Sequence, residues 1–200
     1  MNNLVIVGAS GHGKVIIEIL EACGVKVDYV VDDNPEINEL IGYEVRRNTG
    51  KYDEAIISIG SAQIRKSLVE SLDVQKYPVA IHPSAIVSPR AKIGEGTVVM
   101  HGAILQTCVE VGKHCIINTG ASVDHDCKLG DYVHIAPQAT LSGAVEVGDG
   151  TWIGAGAVIK QCIRIGSNCM IGAGAVVVKD VPDGVTVVGV PVGKRFSSMH

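Results

Sequence analysis

From Ile81 to Val177 an aliphatic residue occupies every sixth position without interruption, a run of sixteen hexads that begins Ile81, Val87, Ile93, Val99, Leu105 and closes Ile159, Ile165, Ile171, Val177. Four residues after most of these aliphatics stands a small side chain, as at Ala85, Ala91, Thr97, Ala103, Cys115, Ala121, Cys127, Ala139, Thr151, Ala157, Cys169 and Ala175. One large and one small inward residue per six is what a narrow three-sided solenoid requires. The pattern predicts a parallel β-helix with three short strands per coil, so that residues 18 apart lie one above another. The run is long enough for a little over five such coils, stacked at roughly 4.8 Å. Glycine follows many of the aliphatics directly (Gly94, Gly112, Gly130, Gly148, Gly154, Gly166, Gly172), where it is expected to supply the backbone freedom of a tight corner.

The first eighty residues follow a different pattern. An apolar run, Leu4 to Val7, ends in Gly8-Ala9-Ser10-Gly11-His12-Gly13, and helical spacing follows from Lys14 to about Ala22. A second strand, Val27 to Val31, ends in Asp32-Asp33. A third, Glu54 to Ile59, ends in Gly60-Ser61 ahead of a helix from Gln63 to Leu72. Strand, glycine-rich turn, helix, strand and acidic pair form a βαβ half of a nucleotide-binding sheet. Its candidate ligand groups are Ser10, Gly11 and His12 at the turn, Gly60 at the third strand end, and Asp32 and Asp33. The glycines bring backbone N–H groups and a helix N-terminus towards a diphosphate, and the two carboxylates can accept hydrogen bonds from ribose or sugar hydroxyls. The alternative is a plain strand-to-helix turn, since the spacing G-x-x-G-x-G departs from the standard dinucleotide fingerprint. The domain is too short for a second mononucleotide half, so a nucleotide joined to a sugar fits it better than a nicotinamide dinucleotide. The expected division is an α/β Rossmann-like domain over 1–80 and a β-helix with a carboxy-terminal tail over 81–200.

Composition narrows the function. A net charge of −4 without a basic cluster excludes nucleic acid as the main partner. There is no run of 18 apolar residues and no cleavable leader, so neither a membrane span nor secretion is expected and the cytoplasm is the expected location. Aromatic residues are scarce, with one Phe and one Trp, as a slender coil demands. Cys115, Cys127 and Cys169 occupy the small inward position and read as buried filler rather than as redox or metal groups.

Taken together, the Gly-Ala-Ser-Gly-His-Gly turn, the junction Ile81-His82-Pro83-Ser84-Ala85, Asn118-Thr119-Gly120-Ala121, Val123-Asp124-His125-Asp126-Cys127 and the closing Gly189-Val190-Pro191 resemble the nucleotide-amino-sugar N-acetyltransferases. That group includes the bacillosamine and perosamine enzymes and extends to sialic acid O-acetyltransferases. The resemblance implies a left-handed β-helix, a homotrimer with sites between adjacent helices, and acetyl-CoA as cosubstrate with no metal. It also implies that His125 is the general base, that the acid after it raises its basicity, that His134 lies in the acetyl-CoA site, and that His12 contacts the nucleotide-sugar. A general base with a pKa near neutrality is what amine acetylation needs. Asp126 stands where the bacillosamine enzymes carry Glu, which leaves Asp124 as a competitor for the contact with His125.

Repeat arithmetic adds to this. Gly143 is 18 residues after His125 and is expected directly above it, its N–H a candidate for stabilising an oxyanion. Ala155 and Ala173 are one coil apart and are candidates for a pantetheine groove. Lys194 and Arg195 are either contacts for coenzyme phosphates or a solvated tail. His101 and His114 are expected at outward, solvent or subunit-contact positions, and Ile104, Ile116 and Val158 on outer faces open to a neighbouring subunit. The implied activity is N-acetylation of a UDP- or GDP-linked 4-amino-4,6-dideoxy sugar for a surface glycan. The alternatives are sialic acid O-acetylation and a zinc lyase of the γ-carbonic-anhydrase type using His101, His114, His125 and His134.

Overall fold

The structure is a computed structural model and describes residues 3–191; Lys194 and Arg195 lie outside the described residues. The amino-terminal domain is built from β1 (Leu4–Val7), α1 (Gly11–Ala22), β2 (Tyr29–Val31), β3 (Glu39–Leu40), β4 (Tyr43–Arg46), β5 (Lys51–Ile57), α2 (Ala62–Ser71) and β6 (Asp73–Lys76). The sheet order is β3-β4-β2-β1-β5-β6, parallel except for the β3–β4 hairpin at its edge. That hairpin, absent from the sequence-based expectation, turns at Ile41-Gly42, both at positive φ, as a two-residue hairpin loop prefers. Helix α1 begins three residues earlier than its apolar spacing suggests, within the glycine turn itself. Gly8 (φ +113) and Gly13 permit this, because a side chain at Gly13 would come within 2.6 Å of the Gly8 carbonyl.

The solenoid presents three parallel ladders of seven, six and five strands, eighteen in all and hence six coils. Its register is the predicted one: Val98 pairs with Ile116, Ile104 with Ser122 and Glu110 with Lys128, each 18 residues apart. The inward residues, from Val99 to Val177, form one buried cluster in which Cys115, Cys127 and Cys169 are free, buried thiols. A further strand at Thr186–Val187 extends the stack beyond the last hexad. The step from Val177 to Val181 is four residues rather than six, so Val181 pairs with Ile165 and Val187 with Ile171 at a spacing of 16.

The glycines act differently from the sequence-based expectation. Positive φ recurs at every sixth residue from Gly96 to Gly174, three positions after each inward aliphatic, and eight of those corners are occupied by other residues, among them His114, Asp126, Tyr132 and Ala144. Gly94, Gly112, Gly130, Gly148, Gly154, Gly166 and Gly172 serve close approach instead. A Cβ on Gly112 would stand 2.5 Å from the carbonyl oxygen of Gly130 in the next coil.

The outer faces have three fates. The first carries Ala80, Val98 and Ile116, which are buried with Ile16, Ile19 and Leu20 of α1 in a shared cluster, so Ile116 faces the amino-terminal domain rather than a neighbouring subunit. The second carries Ile86, Ile104, Ser122, Thr140, Val158 and Val176, with Ile86 and Val158 exposed. The third carries Lys92, Glu110, Lys128, Glu146 and Arg164, alternating in sign.

Arg65 of α2 joins the two domains and is 1 % exposed. Its Nε donates to the carbonyl of His114 and an Nη to that of Tyr132, both at 2.7 Å, while the other Nη donates to Ile59 and Gly60 at 2.7 and 3.0 Å. Four carbonyls satisfy a buried cation that has no carboxylate partner among the described residues, at some cost from desolvation, which lowers Arg65 to about 10. Two substitutions separate the two uses of glycine. Gly112→Ala drives a methyl into backbone and is expected to cost about 2–3 kcal/mol, a fall of about 5–10 °C in melting temperature. Gly174→Ala, at φ +66 with nothing within 4 Å, is expected to lose only about 1 kcal/mol; equal losses in thermal unfolding would refute the distinction.

Candidate functional site

Three groups of the sequence-nominated residues occupy different places. The first lies at the corner between the second and third faces. His125 is exposed there, and its Nδ1 is 2.7 Å from Oδ2 of Asp126. Asp126 sits at a left-handed corner (φ +60), which turns its short side chain back onto the imidazole and makes good the length lost relative to Glu. Asp124 is engaged elsewhere, its Oδ1 accepting the backbone N–H of His125 at 2.7 Å. The hydrogen bond to Asp126, then the charge of Asp124, raise the pKa of His125 above its ordinary value. With Nδ1 held by a carboxylate, Nε2 carries the free lone pair. Gly143 lies against that edge as the repeat predicts, a Cβ there standing 2.7 Å from Nε2. The N–H of Gly143 makes no hydrogen bond among the described residues.

The second group is at the carboxyl edge of the amino-terminal sheet. Val7, Gly8, Asp32, Asp33, Asn48 and Ile59 line a cleft of about 110 Å³ at the point where the order of β1, β2 and β5 reverses. Asp32 is partly spent on structure, its Oδ2 accepting the N–H of Ala9 at 2.7 Å and its Oδ1 that of Asn34 at 2.9 Å. Asp33 accepts the N–H of Asn48 at 3.0 Å. Ser10 is the N-cap of α1 but makes no capping hydrogen bond, which leaves the first N–H groups of the helix open. Space beside Gly11 and Gly60 is empty within 4 Å, so backbone there can be approached closely.

The third group is at the seam between the domains. His134, on the first face, is buried against Trp152 with ring centroids 4.2 Å apart. Asn118 accepts the N–H of Thr119 through Oδ1 at 2.8 Å, which turns its amide nitrogen to His134 Nε2 at 3.1 Å. Nε2 is therefore the acceptor and the proton resides on Nδ1, buried towards the backbone of Gly60. Burial, then the charges of Arg65 and His12, hold His134 down to about 3. His12, whose Nε2 is buried and unpaired among the described residues, is held to about 4 by burial and Arg65. Ala155 and Ala173 are exposed at the corner between the first and second faces, a full face away from His125.

His114 departs from expectation: it is buried at 2 % exposure, stacked on Tyr132 one coil away and edge-on to Tyr77, with burial lowering it to about 4. His101 stacks instead on His82. The histidines grouped in the zinc-lyase alternative are thus committed to separate surroundings. Arg65, Asn48 and Trp152 were not singled out from sequence, and Asn118 entered only as part of a motif, with no role given to it. Arg65 beside Lys66 reads as a solvated helix charge, and only its burial reveals otherwise.

The PglD N-terminal domain family matches residues 3–72, and the bacterial transferase hexapeptide family (six repeats) matches residues 108–143 and 144–179. Over 113 residues the chain is 44% identical to UDP-N-acetylbacillosamine N-acetyltransferase of Bacillus subtilis (strain 168), a match covering 50% of this chain and 52% of that protein. The acetyltransferase domain of PglB from Neisseria gonorrhoeae FA1090 is 38% identical, with a TM-score of 0.90 over 96% of this chain and 99% of that one. PerB from Caulobacter crescentus, solved with CoA and GDP-perosamine, is 37% identical, with a TM-score of 0.89 over 96% and 97% of the two chains. With these matches the architecture is that of an α/β Rossmann-like domain followed by the left-handed parallel β-helix of hexapeptide transferases. No helix among the described residues is long and apolar enough to cross a membrane.

The buried histidines set an acid limit on stability. Their folded values near 4, 4 and 3 for His12, His114 and His134, against an ordinary 6.5, mean that the unfolded chain binds more protons between those limits. Their contribution is intact above pH 6.5 and is lost as the pH falls towards 4. The melting temperature is expected to drop steadily across that window in a pH series of thermal scans; a flat profile would mean that the rings take up protons within the fold.

Proposed function

The chain belongs to the nucleotide-amino-sugar N-acetyltransferases, and from that membership we propose that it transfers the acetyl group of acetyl-CoA to the amine of a UDP- or GDP-linked 4-amino-4,6-dideoxy sugar destined for a surface glycan. The observation that carries this reading is the His125–Asp126 pair, 2.7 Å apart and exposed, with Nε2 free beside a residue that has no side chain. The amine lone pair attacks the thioester carbonyl and His125 Nε2 takes the departing N–H proton. The tetrahedral oxyanion then collapses, expels the CoA thiolate, and the imidazolium returns its proton to the sulfur. Asp126 stabilises that imidazolium and fixes the tautomer, and a positioned base of this kind is worth a factor of roughly 10² to 10⁴. The Gly143 N–H is the candidate donor to the oxyanion.

The nucleotide is held by the open first turn of α1, by Gly60 and by Asp33 and Asp32, the latter also fixing the glycine turn. His134, Ala155 and Ala173 line the path of acetyl-CoA. The amino-terminal domain covers the first face and the corner of His114 and Tyr132, whereas His125 projects from the corner opposite that face. A sugar held by one chain therefore meets the His125 of a neighbouring copy, which supports a homotrimer with composite sites. The exposed apolar residues of the second face, Ile86 and Val158, favour the same assembly. Both substrates belong to the cytoplasm, where such an enzyme would work.

Release of CoA thiol, measured against UDP-, GDP- and dTDP-linked 4-amino sugars and CMP-sialic acid, tests the reading. Turnover with an amino sugar is expected; turnover with sialic acid alone would replace N- by O-acetylation. His125→Ala is expected to lower kcat at least a hundredfold, with the acetyl-CoA KM within threefold. Asp126→Asn removes the group that raises His125, so the acidic limb of kcat/KM should move to lower pH while the plateau falls. An unmoved limb would detach Asp126 from the base.

A further inference from the structure

We infer that the cleft at the carboxyl edge of the amino-terminal sheet takes the nucleobase, and that Asn48 and Asp33 read the imide edge of uracil there, which selects a UDP-sugar over a GDP-sugar. This rests on the nucleotide-sugar acceptor proposed above and deepens it. Val7, Val31, Ile59 and Leu68 supply apolar walls, at or just past the ends of β1, β2 and β5 and on α2, while Asp32, Asp33 and Asn48 supply a polar edge. Apolar walls against a polar edge suit a heterocycle, whose faces shed water and whose rim needs hydrogen bonds. At about 110 Å³ the cleft is well below the roughly 300–1,000 Å³ of sites that hold a whole ligand, so it takes one ring system of the nucleotide.

The hydrogen bonds around Asn48 fix which way its amide faces. The N–H of Thr49 donates to the hydroxyl of the buried Tyr52 at 3.0 Å, so that hydroxyl gives its own proton to Asn48 Oδ1 at 2.7 Å. The N–H of Gly50 donates to the same oxygen at 2.8 Å. Oδ1 is thereby doubly engaged, and Nδ2 is left as a donor with no partner among the described residues. Asp33 is tied to the same residue: its Oδ1 accepts the Asn48 N–H at 3.0 Å, and its Oδ2 accepts nothing among the described residues. Asp32 has both oxygens engaged, by the N–H groups of Ala9 and Asn34. The cleft therefore presents one open amide donor beside one open carboxylate acceptor. Uracil matches them with O4 and N3–H. Guanine can offer O6 and N1–H in the same way, but its 2-amino group then finds only oxygens already engaged, and a donor left unpaired is costly. Cytosine and adenine invert the pattern, setting an amino group against Nδ2 and a ring-nitrogen lone pair against the carboxylate.

The test titrates the full-length enzyme with free UDP, GDP and CDP by calorimetry at fixed salt. UDP is expected to bind at least tenfold more tightly than either of the others. Asn48→Asp keeps the oxygen that Tyr52 and Gly50 hold and turns the open donor into an acceptor. The preference for UDP over CDP should then fall at least tenfold, a ratio in which repulsion between the new charge and the diphosphate cancels. Tyr52→Phe releases the amide to rotate and should lower the same ratio at least threefold, with the acetyl-CoA KM within twofold. Equal affinity for the three nucleotides, a preference for GDP, or an unchanged ratio in Asn48→Asp would overturn the base assignment while leaving the nucleotide site in place. Binding of none of the three would instead remove the nucleotide reading itself, and this inference with it.

Discussion

The chain returns to the same corner every 18 residues, and the backbone of one coil lies directly on the backbone of the next. Almost every local feature follows from this contact. Where two corners touch, only glycine fits, as at Gly112 over Gly130. Where the corner widens, side chains 18 apart become neighbours, so His114 stacks on Tyr132 and the His125 ring faces Gly143. The reactive edge of His125 is open because Gly143, one coil above it, stands at a repeat position that carries a side chain in the other hexads.

The same geometry explains how the domains are joined. A residue in the left-handed conformation turns its carbonyl out of the inter-coil ladder, and the carbonyls of His114 and Tyr132 accept no other backbone donor among the described residues. Arg65 takes both and, with its remaining donors, the carbonyls of Ile59 and Gly60. One buried guanidinium thus fixes the Gly60 turn of the nucleotide cleft to two successive coils. Its charge, with burial, keeps His12 and His134 neutral. The seam is consequently a region of neutral imidazoles, whereas the only imidazole among the described residues pushed towards the charged form, His125, stands on the far corner.

How much was legible follows from which interactions are periodic. The coil register, the inward cysteines and the stacking of Gly143 over His125 repeat with the sequence and could be counted. The direct contact between His125 and Asp126 was in doubt from sequence, because side-chain length alone ignores the left-handed corner that swings Asp126 back. The glycines after the aliphatics were assigned to turning when they serve close approach, since sequence shows where glycine recurs but not which atom excludes a Cβ. Arg65 and Trp152 went unnoticed, and Asn118 stood in a motif without a role, because their partners come from the other domain or from another coil at no fixed pattern of residue types. Ile116 and His114 were placed outside for the same reason: an outward repeat position is exposed only if nothing folds over it.

The third face carries Lys92, Glu110, Lys128, Glu146 and Arg164 in vertical order, and Lys92 already meets Glu110 at 2.8 Å. Each such exposed pair contributes little, and like charges in direct opposition cost a similarly small amount. The order of signs nevertheless makes the column sensitive to parity. Duplicating or deleting one interior coil would bring two like charges together somewhere on the column, whereas gaining or losing a pair of coils would preserve the alternation. The charged face thereby favours changes of length in steps of 36 residues over steps of 18, a bias on how this solenoid can grow that its interior, identical from coil to coil in character, does not impose.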